Sequence, residues 1–489
     1  MLLLGEVWTP GGESLPAGAV YLQGSLIADV GPAADLQARY PRAKRLRFER
    51  ITPGVQDAHV HPVYWGQWLD SLDLRDVSDP RAVAEAVARA ARRKAPGEWI
   101  RGGGYVFDSY PDSGLLDAAA PANPVYLESR DLHSAWVNRR ALAAAGVDER
   151  TPDPAGGRVL RDDEGRPSGY LLERAVELVA KQLPPPRKED LRRGLADLAR
   201  RGYVAVQAMG DGPAEASEWA RQMALAGELP LRLAWTLPKS IWRSYTPEKI
   251  GEQLHVFGVK YFSDGALTSR TAWMVDPYPS GGYGMPLDDP REHDGEMAEV
   301  LAAGFAPVWH AIGTRAVREL LNLIDRLEAA GLPARRNFRI EHAQHVTDAD
   351  LPRLAGLHVS MQPLHARDDQ QTVARLLGAT DRTSYRLSEI AALPEASLLF
   401  GSDAPVAEPD LEGGMAAATG HPLRPAESLD VAAALRAYTF APAAALGWHR
   451  EEAPWGRIAV GARAALALWE GDSLIGRIWW GNVERALAT

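Results

Sequence analysis

The sequence predicts an α/β fold: a (β/α)8 TIM barrel with a large insertion, read as a cap, after its first strand and a small β-sandwich built from both chain termini. Three observations predict it. Eight short apolar runs recur through the middle of the 489-residue chain with helical stretches between them, the pattern of a parallel sheet that closes on itself. Short β-rich pieces occupy both ends and flank this long middle, and such pieces usually pair with each other. One connection, between the first and second runs, is about 140 residues long, far more than a crossover helix needs.

The elements follow in chain order. The first fifty residues alternate as short strands, LLLGEVW and then AVYLQGSLIADVG, which turns at Gly24. Barrel strands are expected at 55–61 (VQDAHVH), 203–210 (YVAVQAMG), 231–237 (LRLAWTL), 256–262 (VFGVKYF), 305–311 (FAPVWHA), 337–344 (NFRIEHAQ), 357–363 (LHVSMQP) and 397–405 (SLLFGSDAP). No glycine-rich phosphate turn follows the first of them, which disfavours an open doubly wound sheet. Residues 64–200 carry their own helical and loop signals, with Pro/Gly punctuation near 152–169 and PPP at 184–186, and are expected to cap the barrel mouth. After the fifth strand, RAVRELLNLIDRLEAAG places Val317, Leu320, Leu321, Ile324 and Leu327 on one helical face. The chain ends in strand-like GRIAVGARAALALWE and LIGRIWWG, so 1–52 with 446–489 form the expected composite domain and 53–445 the barrel domain.

Composition narrows the function classes. The chain has 54 Lys and Arg against 64 Asp and Glu, a net charge of −10, and no basic stripe with interleaved aromatics, which argues against a nucleic-acid partner. It has no cysteine, which excludes disulfides, thiolate metal sites, iron–sulfur clusters and a cysteine nucleophile. Any metal is therefore held by His, carboxylate or something less usual. The N-terminus lacks a basic segment followed by an apolar stretch of roughly 7–15 residues, and no window approaches about 18 uncharged apolar residues. A cytoplasmic protein with no membrane partner is expected, acting on a small molecule, with a homodimer left open.

The placement of the twelve histidines carries the chemistry. His59 and His61 end the first strand as His-x-His, and residues i and i+2 of a strand point to one side, so both imidazoles reach a single ion. His310, His342 and Asp403 also fall at strand ends, which in a barrel open on the face where active sites are built. Lys260 lies inside the apolar run FGVKYF in a chain with only seven lysines. It either reaches solvent or pairs with Asp264, or it is an amine of depressed pKa that takes up carbon dioxide to become a carbamate bridging two metals. His365 is a candidate substrate contact or supporting donor, and His133, Tyr105, Asp264 and Arg270 are candidate substrate-binding residues. His345 is an extra imidazole read mainly as core or surface, and His255, His293, His358, His421 and His449 are read as structural or exposed.

The segments PGVQDAHVH, VKYFSDGALTSRTA, HAIG, RIEHAQ, QPLH and FGSDAP, in that order, resemble the amidohydrolase superfamily, specifically the YtcJ-like, N-substituted formamide deformylase-like branch of amidohydrolase family 3. NPVYLESRDLHSAWVNRRAL in the insertion resembles the same branch. The resemblance implies that His59, His61 and Asp403 hold one divalent metal, that His310 and His342 hold another, and that carboxylated Lys260 bridges them together with a hydroxide. Asp403 is then both ligand and general acid/base, and imidazole with carboxylate suits Zn²⁺, with Mn²⁺, Fe²⁺ or Co²⁺ as alternatives and one metal in place of two left open. The implied activity is hydrolysis of a C–N bond in an amide, formamide, carbamate or cyclic amide by the metal-bound hydroxide. Ester, lactone or phosphoester hydrolysis on the same centre, or a non-catalytic regulatory protein that keeps the barrel, are the alternatives.

Overall fold

The computed structural model describes the chain except residues 10–12, 76, 106, 108, 130–133, 155–156, 211, 269, 280, 379–380 and 487–489 and the side chain of residue 173. It divides into two compact units, Met1–Tyr64 with Leu191–Thr489, and Trp65–Asp190.

In the first unit the two chain ends share one seven-stranded sheet. Its order is Asn482–Arg485, Ser473–Trp479, Leu466–Glu470, Arg45–Pro53, Leu2–Trp8, Ser14–Gln23 and Leu26–Pro32. Arg45–Pro53 is the seam: it runs parallel to Leu2–Trp8 and antiparallel to Leu466–Glu470. Alternation along the opening strand sorts its side chains onto two faces. Leu3 and Val7 join Val20, Ile51, Leu466, Leu468 and Ile478, whereas Leu2 and Leu4 pack with Leu36 of the short helix Ala33–Arg39. The topology is one continuous sheet, where the sequence suggested the two layers of a sandwich.

The same unit holds eight parallel strands in sequential order: Gln56–Val60, Ala205–Met209, Arg232–Pro238, Leu254–Phe262, Ala306–Ala311, Arg339–His342, His358–Met361 and Ser397–Phe400. All eight anticipated runs are strands. The ladder is open between the eighth and first, but just beyond the eighth the backbone crosses to the first: Asp403 N–H donates to the His59 carbonyl at 2.7 Å, and His61 N–H to the Ala404 carbonyl at 2.9 Å. Asp57 reinforces this seam by accepting from the Ser402 N–H at 3.0 Å and hydroxyl at 2.6 Å. The helix Thr314–Ala329 buries Val317, Leu320, Leu321, Ile324 and Leu327, the face its 3.6-residue period marks. A short strand, Glu248–Ile250, adds antiparallel to Leu254–Phe262.

The second unit falls within the long connection. Its six-stranded mixed sheet runs in the order Gly157–Arg161, Pro167–Glu173, Ser134–Val137, Val125–Ser129, Ile100–Tyr105 and Leu72–Asp73. Val83 and Val87 of the helix Pro80–Ala91 pack with Ile100, Leu127 and Trp136. No helix among the described residues is long and apolar enough to cross a membrane.

Candidate metal centre

Strand ends of the barrel bring His59, His61, Lys260, His310, His342 and Asp403, and the short helix Pro363–Asp368 after the seventh strand brings His365, onto one cavity of about 340 Å³. The seam between the eighth and first strands sets its centre. Because the Asp403 N–H is fixed on the His59 carbonyl, the Asp403 carboxylate sits over both histidines of His-x-His, with Oδ1 3.2 Å from His59 Nε2 and 3.2 Å from His61 Nε2. Asp403 and His342 adopt left-handed backbone, with φ of 60° and 73°. Non-glycine residues enter that region at a cost, and they do so most often where a site demands it. Here it turns both side chains toward the cavity at the points where their strands end.

The imidazoles form a contiguous array, with ring centroids 4.8 Å apart for His59 and His342, 4.4 Å for His310 and His342 and 6.5 Å for His342 and His365. Their outer contacts assign the tautomers. Glu341 Oε2 accepts from His59 Nδ1 at 2.5 Å, which leaves the Nε2 lone pair facing the Asp403 oxygen. His342 Nδ1 bonds Gln362 Oε1 at 2.9 Å, leaving its own Nε2 lone pair. His310 donates from Nε2 to the Gly265 carbonyl at 3.1 Å, so its lone pair is on Nδ1. His365 differs: Gln344 Nε2 donates to its Nδ1 at 3.3 Å, so the proton sits on Nε2, 3.9 Å from Asp403 Oδ2.

These groups fit a divalent metal. His59 Nε2 is buried, has no hydrogen bond, and presents a lone pair to a carboxylate oxygen. With Nδ1–H on Glu341 and Nε2 bare, His59 and Asp403 set two acceptors 3.2 Å apart, a contact that a divalent metal relieves as does a proton on Nε2. By donor distances alone His59, His61 and Asp403 make one group, and His342, His365 and Asp403 a second. The outer contacts of His59, His310 and His342 set His365 apart from those three rings: it faces the cavity as a hydrogen-bond donor.

Burial and Lys260 oppose a charge on His59, but Asp403 and Glu341 outweigh them and raise its pKa. Burial opposes ionisation of Asp403, but His59, His61 and His342 outweigh it and hold the carboxyl well below its usual range. Glu341, despite complete burial, is held at about 2 by Arg339 and His59. Burial and Lys260 push His310 down to about 3, so it is a neutral ring. Lys260 is 2% exposed, makes no ion pair among the described residues, and is lowered to about 8 by burial, a shift that Glu341 and Asp403 partly offset.

Other candidates fall elsewhere. Asp264 does not line the cavity and does not pair with Lys260. It is fully buried and accepts from the backbone N–H groups of Trp273 at 2.7 Å, Gly313 at 2.8 Å and Ile312 at 3.0 Å, which ties the loop after the fourth strand to the end of the fifth. Burial lifts it to about 7 against those bonds. Arg270 is exposed and is not among the residues lining the cavity. Tyr105 is buried in the core of the Trp65–Asp190 unit, stacked on Phe107 with its hydroxyl 3.4 Å from that of Tyr170. His133 lies outside the described residues. His345 is a buried ring whose Nδ1 meets the Ser384 hydroxyl at 2.9 Å.

Against this geometry, a model of the amidohydrolase family matches residues 49–475. The chain belongs to the amidohydrolase family. A second model, an imidazolonepropionase-like composite domain of bacteria, matches residues 18–43, shared between strands of the terminal sheet and the helix Ala33–Arg39. The chain is 31% identical over 387 residues to Protein LONG AFTER FAR-RED 3 of Arabidopsis thaliana, covering 73% of this chain and 66% of the plant protein, just under two thirds of its length. It is 28% identical to YtcJ of Bacillus subtilis (strain 168), over 93% of this chain and 91% of that one. It is 27% identical to the N-substituted formamide deformylase of Arthrobacter pascens, over 96% and 93%. A metal-dependent hydrolase of Pyrococcus furiosus shares its fold with a TM-score of 0.77 at 22% identity, over 95% of this chain and 97% of that one.

Glu341, Gln362 and Gln344 escape the sequence reading. Glu341 and Gln344 flank His342 in RIEHAQ, where only Ile340 and Ala343 are apolar, so polarity alone does not single them out.

Proposed function

We propose that the chain is a hydrolase of non-peptide C–N bonds in a small molecule, an amide, formamide, carbamate or cyclic amide, working in the cytoplasm. The observation that carries the reading is the convergence of His59 Nε2 and His61 Nε2 on one Asp403 oxygen, each at 3.2 Å. His59, His61 and Asp403 would hold one metal and His310 and His342 a second. Lys260 would be a further ligand once its neutral amine adds to the carbon of CO2, forming an N–C bond and releasing one proton to leave an anionic carbamate. A buried amine lowered to about 8 has an appreciable neutral fraction near neutrality, which favours that addition. When bound, two divalent ions, Zn²⁺ by this imidazole and carboxylate chemistry, polarise the scissile carbonyl and make a hydroxide nucleophile available at neutral pH.

The chain's own residues do the rest. Asp403, ionised and at the centre of the cavity, takes the proton of the attacking water and returns it to the departing nitrogen, so the C–N bond breaks to a neutral amine. His365 donates from Nε2 to the substrate oxygen as negative charge develops there. Glu341 and Gln362 hold His59 and His342 in the tautomers that present Nε2. Apolar Phe262, Leu267 and Ile312 on the cavity wall limit water.

A panel of formamides, N-acyl amino acids, lactones and aryl phosphates, assayed with the metal-loaded protein and with Asp403→Asn, tests the reading. The expected result is turnover of a C–N substrate that falls by about 10³-fold or more in the variant. Turnover confined to lactones or phosphates, or an unchanged Asp403→Asn, contradicts it.

A further inference from the structure

The cavity has a charged wall that metal binding does not use. Asp369 lies one helical turn beyond His365, its N–H on the His365 carbonyl at 2.8 Å, at the end of the short helix Pro363–Asp368. Its Oδ2 accepts from the Tyr385 hydroxyl at 2.5 Å. Tyr385 is fully buried, and its N–H is fixed on the Gln344 carbonyl at 2.7 Å, the residue whose amide sets the His365 tautomer. The carboxylate is thus built into the same network that orients His365.

That network gives Asp369 a hydrogen bond but no ion-pair partner. Asp369 makes no ion pair among the described residues, whereas neighbouring Asp368 is matched by Arg367 at 3.0 Å. Among the described residues lining the cavity the only basic side chain besides the imidazoles is Lys260, which is buried with the metal-binding groups. A second observation points to a ligand on this wall: His365 is 8% exposed, and its Nε2 is buried without a hydrogen bond. Leu267 and Ile312, which also line the cavity, are apolar and pack with Val373 and Leu376, just beyond Asp369, and Val406 is 67% exposed.

We propose that the substrate carries a protonated amine that pairs with Asp369, joined by a short apolar segment to the carbonyl group that His365 contacts. This rests on the amidohydrolase reading above and names the substrate class for it. An ammonium supplies the hydrogen bonds and charge that Asp369 lacks, and a partly buried charge pair of this kind discriminates strongly against an uncharged or anionic competitor. A carboxylate or phosphate in the same place meets like charge and no cation.

Three matched compounds test it: N-(4-aminobutyl)formamide, N-pentylformamide and 5-formamidopentanoate, which place an ammonium, a methyl or a carboxylate at the same end of one chain. Turnover is measured with the metal-loaded protein and affinity by calorimetry. The ammonium compound is expected to exceed the neutral one by about tenfold in kcat/KM and in affinity, with the carboxylate weakest. Asp369→Asn, which still accepts from Tyr385, brings the ammonium-to-neutral ratio toward one, and Asp369→Lys reverses the order in favour of the carboxylate. Equal values for all three in the unaltered protein, or a ratio indifferent to Asp369→Asn, overturns the proposal while leaving C–N hydrolysis standing. Binding in the expected order without turnover supports the proposal and counts against formamide hydrolysis. The ratio in the unaltered protein needs no variant to fold.

Discussion

At the scale of residues, the centre works by assigning each imidazole a face. His59 is the clearest case, because Glu341 holds Nδ1 at 2.5 Å and Arg339 in turn pairs with Glu341 and donates to the Ala58 carbonyl. Glu341→Gln keeps the size of the side chain but removes the charge that favours the Nδ1–H tautomer. Affinity for the first divalent ion, measured by competition with a chelator, is expected to fall by about 10–100-fold, and an unchanged affinity would show that Glu341 only fills space. The imidazoles and Asp403 were legible in the sequence because a strand end is a position that local periodicity reveals. Glu341 was not, because its role depends on a partner 282 residues away on another strand, and pairing at that distance leaves no local trace. Asp264 misled for the opposite reason: its place just after Lys260 suggested a substrate contact, yet three backbone N–H groups from outside its own strand claim the carboxylate.

At the scale of elements, the seam between the eighth and first strands decides whether the ligands meet. Gly401 stands there because an added Cβ would lie 2.7 Å from His59 Cβ and closer still to the His59 nitrogen. Gly401→Ala is therefore expected to push the two strand ends apart. It lowers the stability of the metal-free protein by about 1–3 kcal/mol, by analogy with overpacking, and weakens metal uptake; a variant that melts and loads like the parent would place the seam's importance elsewhere. The eight strands and the helix Thr314–Ala329 were legible from apolar runs and a 3.6-residue period, because barrel strands buried on both faces read as continuous apolar segments. The single sheet formed by the termini was harder to specify, since its seam, Arg45–Pro53, pairs parallel on one side and antiparallel on the other, and a strand pattern alone does not encode its partner.

At the scale of the whole molecule, several histidines serve the fold and not the centre, and they make stability depend on pH. His358 and His255 are lowered to about 4, chiefly by burial, with Arg339 adding to the shift at His358 and Lys249 at His255. The unfolded chain, with histidine near 6.5, binds protons that the folded chain refuses between pH 4 and 6.5. Stability therefore rises with pH across that window and is lost as pH falls through it. Each ring contributes about 2 kcal/mol of lost stability between pH 7.5 and 5.0, so denaturant unfolding of His358→Gln in the presence of chelator is expected to show a smaller difference between those two pH values than the parent. An equal difference would mean that His358 is as readily protonated in the folded chain as in the unfolded one. The central claim concerns the ring of histidines with Asp403 and Lys260, and elemental analysis of the purified chain tests it most directly. The account predicts two tightly bound divalent ions per chain, reduced to one or none by His342→Ala or by the paired substitution of His59 and His61 with alanine. A chain that carries no divalent ion, or whose metal content ignores those substitutions, contradicts it.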